Sequence, residues 1–265
     1  MSPVQPFVRD SGAGPAVVCL HANASSSSQW RGLMDLLAPT HRVLAVDSYG
    51  SGKSPEWPSD RLISLDDEAD LIEPVLASAQ APVVLVGHSY GAAVALIAAL
   101  RQPARVRALV LYEPTLFSLV DAQAPTPNAA DGIRAAVRQA AAALDRGDTG
   151  AAAEAFIDYW MEPGSWAATP AARQPAMAAS VVNVRRWKHA LMTEPTPLAA
   201  FARLHVPVLL MVGGRTTLSA QAVADLLFTA MPQVQLQRFD ALGHMGPVTH
   251  PGPVNAAIAE FVRGL

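Results

Sequence analysis

Residues 81–100, APVVLVGHSYGAAVALIAAL, contain no Asp, Glu, Lys or Arg. The run is long enough to cross a bilayer. Its middle, however, is Gly87-His88-Ser89-Tyr90-Gly91, which separates a short β-branched stretch from an alanine-rich one. A buried strand, a tight turn and a buried helix account for it better than a membrane span. A strand and helix that are both apolar need cover on every side, so the rest of the chain must supply it.

The other segments have the same alternation. PAVVCL (15–20) precedes SSQWRGLMDLLAP, where Trp30, Leu33, Met34 and Leu37 recur at helical steps. HRVLAV (41–46) precedes SLDDEADLIEPVLAS, in which Ser64 and Asp67 have capping-box spacing and Pro74 is expected to bend or shorten the helix. RVRALVLY (105–112) follows the helix after Ser89. VPVLLMVG (206–213) leads to a helix over 219–230, and VQLQRF (234–239) to one over 252–263. The expected class is α/β, a mostly parallel sheet with helices on both faces.

Residues 116–200 interrupt this rhythm. They hold no β-branched run of strand length and predict helices over 131–146, 149–161 and 170–191, with Pro170 at a first helical position. Proline clusters at 124–127 and 194–197 bracket the segment. The expected organisation is a core domain of residues 1–115 and 201–265, with 116–200 inserted as a helical cap.

At 265 residues and 51% hydrophobic content, with mean hydropathy +0.23, the chain can fill a sizeable core. Its net charge of −3 and the lack of a basic run argue against a nucleic-acid partner. The single cysteine, Cys19, excludes an internal disulfide and lies in an apolar run, as a small buried hydrophobe does. MSPVQPFVRD lacks the basic-then-apolar order of a signal peptide. The expectation is a soluble, cytoplasmic protein that acts on a small molecule, without a membrane partner. No metal site is expected either, because the histidines are scattered and no H-E-x-x-H occurs.

DSYGSGKS (47–54) resembles a phosphate-binding loop. That loop needs G-x-x-x-x-G-K-[ST] followed at once by a helix. Counting back five from Gly52 gives Asp47, a carboxylate where the anion would sit, and Pro55 and Pro58 prevent a helix from starting at Lys53. A nucleotide site is excluded on both counts.

GHSYG (87–91) fits G-x-S-x-G in the strand–turn–helix setting that lifts a serine into a strained, exposed position. A serine nucleophile needs a base and an acid to orient it. Of the seven histidines, His244 has the best setting: DALGHMGP places it in a loop after the last strand, between Gly243 and Gly246.

The order of these motifs, from LHANAS through DSYGSGKS and GHSYG to GHMGP, resembles the α/β-hydrolase fold over almost the whole chain. That resemblance implies an extra N-terminal edge strand; with only about ten residues before Gly12, a sheet of about seven strands is expected. It also implies oxyanion donors at Tyr90 and at Asn23, with Ala22 where glycine is usual. Asp47 and Ser54 are implied to brace a D-x-x-G-x-G-x-S loop, leaving Lys53 solvated.

The family's usual acid, an Asp soon after the strand equivalent to VPVLLMVGG, has no counterpart. No Asp or Glu lies between Arg203 and Asp225, and Thr216 stands in its place. Glu113, at the end of the strand after the nucleophile helix, is the candidate acid. Asp240 is the second candidate, and a serine–histidine dyad the third.

The resemblance implies ester hydrolysis through an acyl-enzyme on Ser89, with His244 as base and no cofactor. Carbon–carbon, lactone or amide hydrolysis, acyl transfer and perhydrolysis use the same arrangement. A hydrolase-like binding protein is the reading of a different class. Phe117, Leu119, Trp160, Trp166 and Trp187 are available to line an apolar pocket.

Overall fold

In a computed structural model, which describes residues 4–79 and 82–265, Val8–Ser11 form an antiparallel edge strand, β1. The six apolar runs form the others: β2 (Ala16–Leu20), β3 (Arg42–Val46), β4 (Val83–His88), β5 (Val106–Tyr112), β6 (Val208–Gly213) and β7 (Val234–Phe239). Ala81, the first residue of the charge-free run, lies outside the described residues. The strand order is β1-β3-β2-β4-β5-β6-β7, and every pairing except β1–β3 is parallel. The sheet therefore has the expected seven strands.

Helices α1 (Arg31–Leu37), α2 (Leu65–Ser78) and α3 (Tyr90–Arg101) belong to the first half of the chain. Between β5 and β6 lie α4 (Phe117–Gln123), α5 (Asp131–Asp145), α6 (Thr149–Trp160), α7 (Ser165–Ala168), α8 (Gln174–Ser180) and α9 (Val184–Met192). The last three are α10 (Leu218–Ala230), α11 (Gly246–Thr249) and α12 (Pro251–Arg263). Successive side chains of a strand point to opposite faces, which gives the sheet two cores. Val17, Cys19, Val43 and Val110 pack with Leu33 of α1 and Ile258 of α12. Val18, Leu44, Leu85 and Leu111 pack with α2, α3 and α10 on the other face, in a core continuous with α4–α9.

Two helical expectations change. The helix predicted over 170–191 is broken into α8 and α9. Val181, Val182 and Asn183 are poor helix formers, and the chain turns there through Val181 N–H to Ala178 C=O and Val184 N–H to Val181 C=O. Pro74 does not shorten α2, which runs on to Ser78. The buried Val75 and Leu76 anchor its last turn, and Ala79 N–H closes on Val75 C=O. The Ser64–Asp67 capping box forms. Among the described residues, no helix is long and apolar enough to cross a membrane.

The chain leaves β2 outward to β3 and then crosses back to β4 on the other side of β2. Such a reversal opens a crevice at the carboxyl ends of the two strands, where α/β sheets place their ligands. The loop after β3 borders this rim and holds itself together. Asp47 Oδ1 accepts from Ser27 N–H at 2.5 Å and Oδ2 from Lys53 N–H at 2.9 Å. Ser54 Oγ donates to Asp47 C=O at 2.7 Å and accepts from Phe7 N–H at 2.9 Å. Gly52 has a left-handed φ of +56°, and a Cβ there would collide with the Asp47 carboxylate. The lysine that suggested a phosphate site is exposed, its ammonium over the Phe7 ring.

Asp47→Ala strips two backbone donors of a buried acceptor. The expected loss is about 2–3 kcal/mol of unfolding free energy, measured by chemical denaturation. A loss under about 0.5 kcal/mol would mean that Asp47 does not support the loop.

Candidate functional site

Ser89 joins β4 to α3. Its φ of +56° is rare for a residue with a side chain, and its N–H bonds Tyr112 C=O of β5 at 2.9 Å. The turn fits because α3 approaches the end of β2 very closely: a Cβ on Gly91 would collide with the carbonyls of Leu20 and His21. Tyr90 is the first residue of α3, where a backbone N–H has no intrahelical acceptor.

His244 follows β7, and its Nε2 stands 2.9 Å from Ser89 Oγ. Its Nδ1 is 2.6 Å from Glu113 Oε2. Glu113 directly follows β5 in a left-handed conformation, φ +45°, and is fully buried. Its remaining capacity is used as well. Gly213 N–H at the end of β6 donates to Oε1 at 2.6 Å, and Thr216 Oγ1 donates to Oε2 at 2.6 Å. Thr216, which stands where the family's usual acid would be, thus supports the carboxylate that reaches across from the neighbouring strand. Asp240 is exposed and makes no hydrogen bond or ion pair with His244 among the described residues, and Asp225 is exposed on α10, accepting from Gln221. A hydroxyl facing an imidazole backed by a buried carboxylate is the arrangement that general-base activation of an oxygen nucleophile requires.

A second buried chain of hydrogen bonds runs behind Ser89. Gln29 Oε1 accepts from Ala22 N–H at 3.3 Å, and Gln29 Nε2 lies 3.1 Å from His88 Nδ1. His88 Nε2 donates to His244 C=O at 2.8 Å. Since Nε2 is the donor, Nδ1 accepts from the Gln29 amide and the ring is neutral. Burial pushes the His88 imidazolium well below its ordinary range, and the neighbouring His244 adds to this. The chain ties the loop carrying Ala22 and Asn23 to the loop carrying His244. In sequence, a histidine inside G-x-S-x-G gives no sign of such a partner at Gln29.

Asn23 lies beside Ser89 in the wall of a cavity of about 90 Å³, which Phe117, Phe156, Trp160 and Trp187 also line. Leu119 and Trp166 pack elsewhere, Leu119 deep in the core and Trp166 at its edge. Trp160 does more than line the cavity. Its indole stacks on the His244 ring, with centroids 3.9 Å apart and planes 25° apart. This contact joins residues 84 positions apart, 160 to 244, which no local pattern in α6 encodes.

A profile described as the alpha/beta hydrolase fold matches residues 15–251. The chain belongs to the α/β-hydrolase family. Among relatives of this hydrolase, 2-hydroxymuconate semialdehyde hydrolase of Pseudomonas sp. (strain CF600) is 38% identical over 108 residues, 39% of this chain and 38% of that protein. A putative carbamate hydrolase, RutD, of Escherichia coli O17:K52:H18 (strain UMN026 / ExPEC) is 25% identical over 95% of this chain and 88% of its own. An alpha/beta hydrolase from Sphaerobacter thermophilus superposes with a TM-score of 0.75 at 25% identity, covering 97% of this chain and 96% of its own. A thermophilic esterase from Thermogutta terrifontis does so at 0.74 and 22% identity, covering 98% and 93%, a likeness of fold.

Beneath Tyr90 lies a buried carboxyl, Glu68 of α2. Its Oε1 is 3.2 Å from Tyr90 Oη, and Oε2 accepts from Tyr49 N–H at 3.4 Å. Burial raises this carboxyl to about 8, against the pull of those two hydrogen bonds. Below about pH 4.5 Glu68 is protonated both folded and unfolded. Between there and about pH 8 only the unfolded chain releases the proton, so stability falls as the pH rises through this window and then levels off. Glu68→Gln copies the protonated group, so its melting temperature relative to wild type should climb from pH 5 to pH 8. A constant difference over that range would show that Glu68 ionises normally in the fold.

Proposed function

We propose that this chain is a serine hydrolase that cleaves a carboxylic ester, or a related acyl bond, of a small and largely apolar substrate. The observation that carries the proposal is the unbroken Ser89–His244–Glu113 chain at 2.9 and 2.6 Å, with the carboxylate held by two further donors. In the proposed mechanism His244 Nε2 takes the proton from Ser89 Oγ as the oxygen attacks the acyl carbon. Glu113 holds the ring in the tautomer that leaves Nε2 free, and offsets the charge of the imidazolium. The oxyanion forms between Tyr90 N–H and Asn23 N–H, neither of which has an acceptor among the described residues. His244 then returns the proton to the departing alcohol. Water, deprotonated by the same nitrogen, opens the acyl-enzyme. Two donors aimed at the developing charge lower the barrier most where water is excluded, and the apolar cavity favours that.

We assign residues 116–200 the role of a cap that sets substrate choice, since α4–α9 supply most of the cavity wall. Carbon–carbon, lactone or amide hydrolysis is the alternative for the same machinery, and the relatives include a semialdehyde hydrolase and a putative carbamate hydrolase. A binding protein without turnover would have no use for the activated hydroxyl.

A series of p-nitrophenyl esters of increasing chain length tests the reading. Glu113→Gln should lower kcat by roughly 10²–10⁴-fold, because the imidazole loses its orienting charge. Ser89→Ala should abolish both turnover and labelling by a sulfonyl fluoride. Turnover near wild type in the first, or labelling in the second, would refute the assignment. Trp160→Leu should lower kcat by about tenfold with a smaller change in KM, since the indole face stabilises the imidazolium and holds the ring. Trp160→Phe should restore part of that loss. A Leu variant that changes KM alone would make Trp160 a substrate contact only.

A further inference from the structure

A second space adjoins the cavity at Ser89. A cleft of about 390 Å³ lies against it between α5 and α9, and Val137, Lys188 and Met192 line both spaces. The cleft is also lined by Arg138, Arg185 and His189, and no Asp or Glu is among its lining residues. This is unusual in a chain of net charge −3 that contains only two lysines, Lys53 and Lys188. Arg185 is neutralised by Asp145 at 2.5 Å. Neither Lys188 nor Arg138 joins an ion pair or a side-chain hydrogen bond among the described residues. Nearby cations do: Arg186, two residues from Lys188, is held by Glu56 at 2.9 Å, and Arg134, four from Arg138, by Asp121 and Asp131.

We infer that Lys188, with Arg138 beyond it, receives a carboxylate at the far end of the substrate. The substrate would then be an acyl compound with three parts: a scissile group at Ser89, an apolar middle in the cavity and an anionic terminus in the cleft. The inference rests on the acyl-cleaving reading of Ser89 and names the substrate class for that site. The position favours one negative charge over two. Lys188 is the one cationic side chain that lines both spaces, beside the apolar Val137 and Met192, while Arg138 lines the cleft alone. A lysine on a flexible stem follows such a terminus over several chain lengths, as a point charge without bidentate geometry. The field of the cleft also draws an anionic substrate toward its mouth, an attraction that salt weakens.

The test needs no turnover. Monomethyl esters of the four-, six-, eight- and ten-carbon dicarboxylic acids are titrated into Ser89→Ala by calorimetry, beside the matching dimethyl esters. At the best-fitting length the monoester should bind about fivefold more tightly than the diester, the size of a partly exposed ion pair. In 0.5 M salt that ratio should shrink. Lys188→Met should bring it close to one, Lys188→Arg should keep it, and Arg138→Gln should lower it. Equal or weaker binding of the monoesters at every length, or a ratio that survives Lys188→Met, would overturn the inference. The same pairs offered to the wild-type chain report on the acyl-cleaving reading separately. A binding preference without hydrolysis would remove that reading and leave the anionic subsite standing.

Discussion

The Glu113 carboxylate holds the site together. A buried charge is tolerated only where its oxygens are satisfied, and here three donors from three separate segments converge on it: Gly213 at the end of β6, Thr216 in the following loop and His244 after β7. Each donor also fixes the backbone that carries it. One side chain thus sets how the ends of β5 and β6 and the loop after β7 stand relative to Ser89. The left-handed backbone at Glu113 and at Ser89 is sustained because the parallel register of β4, β5 and β6 over-determines both turns.

The Gln29–His88 chain does for the loop after β2 what Glu113 does for the loop after β6. It is uncharged throughout, so its buried members carry no cost of desolvated charge, and a neutral imidazole serves as donor and acceptor at once. Between them the two networks connect the loops after β2, β4, β5, β6 and β7. The Ser89–His244 pair is held from both sides.

Much of this was legible in the residues, for identifiable reasons. Strands buried on both faces read as apolar runs, and G-x-S-x-G gains meaning from the strand before it and the helix after it. Glu113 was marked as a candidate by the family resemblance, because a stretch without Asp or Glu follows β6 and a carboxylate stands directly after β5. Other features had no local signal. β1, with the sequence VRDS, is a strand because β3 offers it a partner. The stack of Trp160 on His244, the Gln29–His88 contact and the junction at Lys188 join residues from 59 to 84 positions apart or set one helix beside another, and no periodicity encodes that.

The indole over the His244 ring bears on how such proteins can be recombined. Because the segment between β5 and β6 is continuous in sequence, it looks exchangeable between relatives, as a loop would be. Here that segment carries the surface on which the imidazole rests, and it begins three residues after Glu113. A chimera built by grafting 116–200 from another hydrolase would therefore have to provide an aromatic face at the position of Trp160. A junction placed close to Pro114 would disturb the carboxylate as well. The boundary between the sheet and the inserted helices passes through the Ser89–His244–Glu113 cluster itself.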